Sequence, residues 1–391
     1  MGTEAVRALI LSGGGGRGAF HAGVYKYLMK NHKVNVDSNH ERAWEPQIIV
    51  GTSIGAVNGA AIAQGMPADQ LVEVWKSLEE KDIQGLPPGM RGIARWAAGA
   101  LFKEVMDARL PQIAPTEATS PIPKEFWPPL PLLPRWVAER LIGYWINLLD
   151  TGPLRKTLFT RFGLDEEKLA QSEKALLIAA TKVRTGEQVL FSNRKVMDHK
   201  RGEVRRDVFA GITADRILAS CSIPLVYPWT YDPETESFYW DGALVANTPL
   251  GAAIDMMGVD TTVPAEVVVV MMTPWWESGD SAPAKAESEP KSFGDAITWM
   301  LDWMLLASFR ENLKMIRAFN QLAAREREEN QPPYRYRIVT PIIISPLEFL
   351  RAERIIDYDG DVSAKLIEEG FKAAKYAFEK EFPASARFGD S

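Results

Sequence analysis

Short apolar runs recur along the chain, each bounded by glycine, proline or small polar residues and most followed by a stretch of helical periodicity. Residues 6–12 read as a buried first strand, the glycines that follow as a loop, and 18–31 as a helix. Ile48, Ile49 and Val50 form a second strand leading into a helix over 56–64. Further strands are predicted at 175–181, 188–192, 238–241, 267–273 and 337–344, with helices at 214–220, 249–257, 293–327 and 363–382. Strands that are apolar throughout are buried on both faces, and strand–helix alternation joins them in parallel. The predicted fold class is therefore α/β: three layers, α/β/α, around a mostly parallel central sheet.

Two segments break the alternation. Residues 86–149 are rich in proline and tryptophan, and Pro128, Pro129, Pro131 and Pro134 keep helix from starting before about Arg135. They read as a cap or lid insertion within a single catalytic domain spanning 1–391. Residues 277–292 are polar and rich in Pro, Ala, Ser and Glu, and read as a mobile loop. Inside the insertion, Val137, Leu141, Tyr144, Trp145 and Leu148 recur at helical spacing, with Arg135, Glu139, Arg140 and Asn147 on the other side and Trp127 and Trp136 nearby. A helix lying in a lipid interface has this pattern, which makes 127–149 a candidate for peripheral membrane contact. A helix packed internally has it too. Residues 299–306, apolar almost all round, carry the same two readings.

Composition narrows the classes. A chain of 391 residues can bury a large core, and 25% charged residues with a net charge of -6 offer no electrostatic match to nucleic acid. Lys200, Arg201, Arg205 and Arg206 flank Gly202 and read as a solvated hairpin tip. The single cysteine, Cys221, excludes an internal disulfide and a cysteine-rich metal site, and reads as a small buried thiol. No metal or other cofactor is expected. The opening apolar stretch is too short for a signal peptide, Val6 stands where a myristoylation motif needs Ser or Thr, and no run of about 18 apolar residues could span a bilayer. A cytoplasmic location, peripheral at membranes if at all, is the expectation.

The chemistry centres on Gly51-Thr52-Ser53-Ile54-Gly55, a G-x-S-x-G elbow placed between a strand and a helix. A tight turn that opens a helix exposes the hydroxyl beside the helix's first unpaired N–H groups, where developing negative charge is favoured. Upstream, Gly13, Gly15 and Gly18 satisfy G-x-G-x-x-G after a strand, and Asp37 lies about where a dinucleotide site places its acid. The other reading is an oxyanion loop, and the serine elbow favours it. A phosphate P-loop is excluded, since no Gly-Lys-Ser/Thr follows. Of the four histidines, His21 follows the loop and reads as structural, while His32, His40 and His199 read as surface residues. The better proton acceptor for Ser53 is Asp241, which ends the aromatic run Phe238-Tyr239-Trp240 and precedes Gly242. A carboxylate serves as base for an alcohol when desolvation raises its proton affinity. The plainer reading of Asp241-Gly242 is a turn.

In this order, Gly13 to Gly18, Gly51 to Gly55 and Asp241-Gly242-Ala243 resemble the motifs of the patatin-like phospholipase family. Ala219-Ser220-Cys221-Ser222-Ile223-Pro224 and Asn247-Thr248-Pro249 are similar to lesser blocks of that family. Ala243 stands where the family more often has glycine. The resemblance covers residues 6–65 and about 170–260. It implies a Ser-Asp dyad that hydrolyses acyl esters of lipids (phospholipids, lysophospholipids or simpler esters) without histidine or metal. Ser53 would be the nucleophile and Asp241 the base. Gly14, Gly15 and Gly16 would hold the oxyanion, and Gly13, Arg17 and Gly18 would support that loop, with Arg17 otherwise able to meet a phosphate. Gly51, Gly55 and Gly242 would shape the elbow and the dyad turn. An acyltransferase using the same dyad and a catalytically idle, membrane-associated binding protein are the alternatives.

Overall fold

The computed structural model describes residues 4–37, 40–85, 149–198, 202–258, 260–276, 293–329, 332, 334–347 and 358–379. In chain order the strands are β1 (Val6–Leu11), β2 (Lys33–Asp37), β3 (His40–Ala43), β4 (Ile48–Thr52), β5 (Ala175–Lys182), β6 (Gln188–Ser192), β7 (Met197–Asp198), β8 (Glu203–Val204), β9 (Val208–Ala210), β10 (Thr230–Asp232), β11 (Ser237–Asp241), β12 (Ala265–Val270) and β13 (Pro341–Ile344). The helices are α1 (Ala19–Lys30), α2 (Ile54–Ala63), α3 (Ala68–Ser77), α4 (Glu80–Ile83), α5 (Gly152–Thr160), α6 (Glu166–Gln171), α7 (Ala214–Ser220), α8 (Leu250–Met256), α9 (Phe293–Glu328) and α10 (Gly360–Glu379).

Among the described residues nine strands form the main sheet, in the order β10-β11-β5-β4-β1-β12-β13 with β6 and β9 attached beyond β5. Its centre is parallel: β1 lies between β4 and β12, with Leu9 opposite Ile49 and Val268. Apolar residues on both faces of β1 explain why helices cover both sides. Leu9 and Leu11 join one core with α1, α2, α3, α7 and α10, through Phe20, Val57, Leu71, Ile217 and Leu366. Ala8 and Ile10 face a second core built on α8 and α9, through Leu250, Ala253, Leu306 and Phe309. This is the expected three-layer α/β/α arrangement.

One side of the sheet departs from parallel. β6 and β11 both run antiparallel to β5, and β10 runs antiparallel to β11. The connections explain two of these pairings: the few residues between β5 and β6, and between β10 and β11, allow a hairpin but no crossover. The edge hairpin β10–β11 is pinned by Arg216, whose guanidinium forks onto both carboxylate oxygens of Asp232 at 3.2 Å and reaches Glu234 at 2.7 Å.

Several expectations change in detail. The hairpin β2–β3 and helices α3, α5 and α6 were not anticipated. β13 starts at Pro341, not at 337, because the Asn320 side chain takes both the N–H and the carbonyl of Val339, at 3.0 and 2.9 Å. Arg206 is solvated as expected, but Arg205 is not part of a free tip, since it pairs with Asp207 at 2.6 Å and Asp255 at 2.8 Å. His32 is half-buried against the Phe378 ring at 4.0 Å, not a plain surface residue. Residues 86–148, 199–201 and 277–292 lie outside the described residues, so the cap, the lid and loop expectations, Lys200, Arg201 and His199 fall there. Gly85 and Asp150 form an antiparallel bridge. Among the described residues no helix is long and apolar enough to cross a membrane.

Candidate active site

Strand β4 ends at Thr52 and α2 begins at Ile54, so Ser53 alone makes the corner, with φ 55 and ψ -128. Such a conformation costs a non-glycine residue of order 1–3 kcal/mol and persists only where the surroundings enforce it. Here they do. A Cβ on Gly55 would lie 2.2 Å from the Leu11 carbonyl oxygen, so only glycine lets α2 press this closely on β1. Gly51 and Gly55 face each other across the corner at similar range. The Ser53 N–H donates to Ser220 Oγ at 2.8 Å. Every residue of α2 is buried, and its first turn carries the unpaired N–H groups of a helix start.

Asp241 arrives from the opposite direction, as the last residue of β11. That strand alternates, with Ser237, Tyr239 and Asp241 buried between the more exposed Phe238 and Trp240. The backbone of Asp241 is held on both sides: its N–H donates to Ser222 O at 2.9 Å, and its carbonyl accepts from Thr181 Oγ1 at 2.9 Å. Gly242 follows against the Ala179 carbonyl, and the Ala243 N–H donates to Asp241 Oδ1 at 2.8 Å. Ser53 and Asp241, 188 positions apart in sequence, are only 4% and 2% exposed. Burial raises the Asp241 carboxyl from its ordinary value to about 7, and hydrogen bonding from the Ser53 side chain and the Ala243 N–H pulls the other way. Asp241 Oδ2 has no well-aligned donor among the described residues, so the Ser53 contact is a loose one.

The glycine loop lies against this pair. A Cβ on Gly13 would meet Ser53 Cβ at 3.0 Å and Ala243 Cβ at 3.3 Å. The Gly13 N–H is taken by Asn247 Oδ1 at 2.7 Å. Gly14 then turns the chain into a 3-10 turn over Gly15–Gly18, with φ 57 at Gly15. The N–H groups of Gly14, Gly15 and Gly16 have no acceptor among the described residues, which leaves three backbone donors in the loop that follows Gly13. Arg17 is buried, its guanidinium 3.1 Å from Asp302 Oδ1, away from any solvent-facing position. Gly18 packs on Ile54 and Trp75.

The histidines are elsewhere. His21 is fully buried and its Nδ1 accepts from Asn58 Nδ2 at 3.2 Å; Asn58 also donates to Gly18 O and accepts from Trp75 Nε1. Burial lowers His21 to about 3, so it is neutral. Among the described residues no imidazole hydrogen-bonds Ser53 or Asp241. Asp37 pairs with His40 in a hairpin off the main sheet, whereas a dinucleotide site takes its acid from the second parallel strand. Cys221 is buried, as expected, and burial beside Asp241 holds its thiol well above the usual range. Three supporting residues went unrecognised in the sequence: Ser220, Asn247 and Asp302. The first two sit in the small-residue blocks already noted. Asp302 is the lone acid in the run Trp299-Met300-Leu301-Asp302-Trp303-Met304, a signal of burial with a partner.

The family model described as patatin-like phospholipase matches residues 9–254, more than half of the chain. No curated protein matches. Among solved structures 12 chains match, one of them VipD from Legionella pneumophila, with 13% sequence identity and a TM-score of 0.42. That alignment covers 96% of this chain and 67% of VipD.

Proposed function

Because the chain belongs to the patatin-like phospholipase family, we propose that it cleaves carboxylic ester bonds of phospholipids, lysophospholipids or simpler esters through an acyl-enzyme on Ser53, with Asp241 as the only base. Membership supports lipid acyl hydrolysis in general. The assignment to this pair rests on one observation: Ser53 and Asp241 are buried against the same glycine loop, and burial raises the Asp241 carboxyl to about 7 while the nearby Ser53 side chain pulls it back.

A carboxylate of ordinary acidity is too weak a base for an alcohol, and one tuned near neutrality is suited to the task. Asp241 takes the Ser53 proton as Oγ attacks the ester carbonyl carbon. The carbonyl oxygen becomes negative beside the free N–H groups of Gly14, Gly15 and Gly16, and one such donor is worth roughly 3–4 kcal/mol to a transition state. Collapse of the tetrahedral intermediate breaks the bond to the alcohol, which leaves with the proton from Asp241. Water then gives its proton to Asp241, attacks the acyl-Ser53 carbonyl and releases the fatty acid, and the proton returns to Ser53. The strained corner at Ser53 keeps the hydroxyl in place through both halves of the cycle.

Residues 127–149 are retained as the segment proposed to meet a lipid surface, on the sequence pattern alone. The test is a panel of phospholipids, lysophospholipids and neutral esters incubated with the protein and with Ser53→Ala, the products being read by mass spectrometry. Free fatty acid formed by the wild type alone is the expected result. Acyl transfer to an added alcohol in place of fatty acid release would make it an acyltransferase. No turnover together with no labelling by a fluorophosphonate would leave only the binding protein.

A further inference from the structure

Ser220, the last residue of α7, we propose to be a positioning residue: its hydroxyl holds the strained elbow so that Ser53 Oγ stays in register with Asp241. The inference rests on the Ser53–Asp241 reading above and adds a part to it.

A serine near a helix end can bond back to the carbonyl four residues earlier. Ser222 does so, donating to Leu218 O at 2.9 Å. Ser220 does not. Its Oγ–H donates to the Ala179 carbonyl of β5 at 2.6 Å, and its lone pair accepts the Ser53 N–H at 2.8 Å. A hydroxyl has one proton, so the bond to Ala179 fixes which way the lone pairs face, and they face the elbow. Ser220 is fully buried, so no water replaces it.

The same three-residue segment also holds the other partner, because Ser222 O accepts the Asp241 N–H. The backbones of nucleophile and base are thus hung two residues apart on Ser220-Cys221-Ser222. β5 steadies both, through Ala179 O for Ser220 and Thr181 Oγ1 for Asp241. The spacing of the pair is therefore set locally, in a segment distant in sequence from the elbow. Without the Ser220 hydroxyl, the Ser53 N–H loses its acceptor, and a corner held at φ 55 loses the bond to its own backbone N–H. A displacement of about 1 Å costs up to roughly a hundredfold in rate without touching the substrate-binding walls.

The experiment compares Ser220→Ala, Ser220→Thr and the remote control Thr157→Val in the full chain. Thr157 is also a buried hydroxyl, bonded to the Asp82 carbonyl at 2.6 Å between α4 and α5. Hydrolysis of a p-nitrophenyl ester, the rate of fluorophosphonate labelling and thermal unfolding are measured for each. Ser220→Ala is expected to lower kcat and labelling about tenfold or more with KM within about twofold, and Ser220→Thr to recover most of it. Thr157→Val is expected to keep wild-type kcat at a similar loss of stability. A Ser220→Ala protein that is folded and as fast as wild type overturns the proposal, as does a loss confined to KM. Should Ser220→Ala not fold, it is combined with Ser53→Gly, which relaxes the corner: recovery of folded protein supports the proposal and continued failure overturns it. A wild type inert toward every ester and the label sinks the dyad reading instead. The Ser53→Gly/Ser220→Ala unfolding cycle then decides the present one by whether the two losses are coupled.

Discussion

Arg17 and Asp302, 285 positions apart, meet in an ion pair at 3.1 Å that is closed to solvent on both sides. Thr273 Oγ1 donates to the same carboxylate oxygen at 3.0 Å. The glycine loop is thereby fastened to α9, a helix beyond the stretch that the family model matches. Asp302→Ala removes one member of a buried pair, and such losses cost about 3–5 kcal/mol. Urea denaturation is expected to show a drop of that order together with slower ester turnover. A drop below about 1 kcal/mol would mean that the pair does little for the loop.

Ser53→Ala and Asp241→Asn are each expected to abolish p-nitrophenyl ester turnover while leaving the protein folded, as circular dichroism would verify. Substituting the four histidines singly should leave substantial activity. His21→Gln is the decisive member of that set, because His21 lies nearest the glycine loop in sequence. If it were folded and as inactive as Ser53→Ala, the histidine-free mechanism would be wrong.

The carboxyl of Asp241 also links activity and stability to pH. The base must be ionised, so kcat/KM is expected to rise with pH through about 7. Stability moves the other way. An unfolded aspartate ionises near 3.9, whereas this one keeps its proton to about 7, so the native state binds more protons across that interval. Stability contributed by the protonated form is lost as pH climbs through it. Asp241→Asn should accordingly exceed the wild type in stability at pH 8 and by much less at pH 4, as measured by denaturant titration. His21 acts at the acid side: held neutral down to about 3 against 6.5 when unfolded, it costs stability as pH falls below 6.5.

The Gly13 N–H and Asn247 Oδ1 set the distance between loop and dyad. Gly13→Ala would push a methyl to 3.0 Å from both Ser53 Cβ and Asn247 Oδ1, tight enough to displace one of them. Asn247→Ala strands a buried N–H at a cost of about 1–3 kcal/mol. Both are expected to slow acyl-enzyme formation in stopped-flow assays more than they raise KM. An unchanged burst rate in both would free the loop from any part in the first step.

Motifs and fold were legible to different degrees, for physical reasons. Strands β1, β4, β5 and β12 could be read because uninterrupted Val, Ile, Leu and Ala runs have little else to do but fill a two-sided core. The hairpin β2–β3 could not, because Lys33-Val34-Asn35-Val36-Asp37 alternates too briefly among polar residues to announce a strand. The antiparallel course of β11 was hidden as well, since a burial pattern carries no direction. At the site, Ser53 and Asp241 stand in short motifs whose glycines are dictated by close backbone contact, and those leave a local mark. Ser220, Asn247 and Asp302 act across distances of 167, 234 and 285 positions, and no local pattern encodes a partner that far away.

The position of β1 bears on how the protein is made. Flanked by β4 and β12, it is synthesised before either neighbour, and one of its edges stays bare until residues 265–270 have been made. An unpaired apolar strand edge invites association with other chains for as long as it waits. A fragment ending at residue 254 would carry every proposed catalytic group, yet its sheet would end at the bare apolar edge of β1. Recombinant production of that fragment is expected to end in inclusion bodies, and the nascent chain to need a chaperone's cover until residues 265–270 have been made.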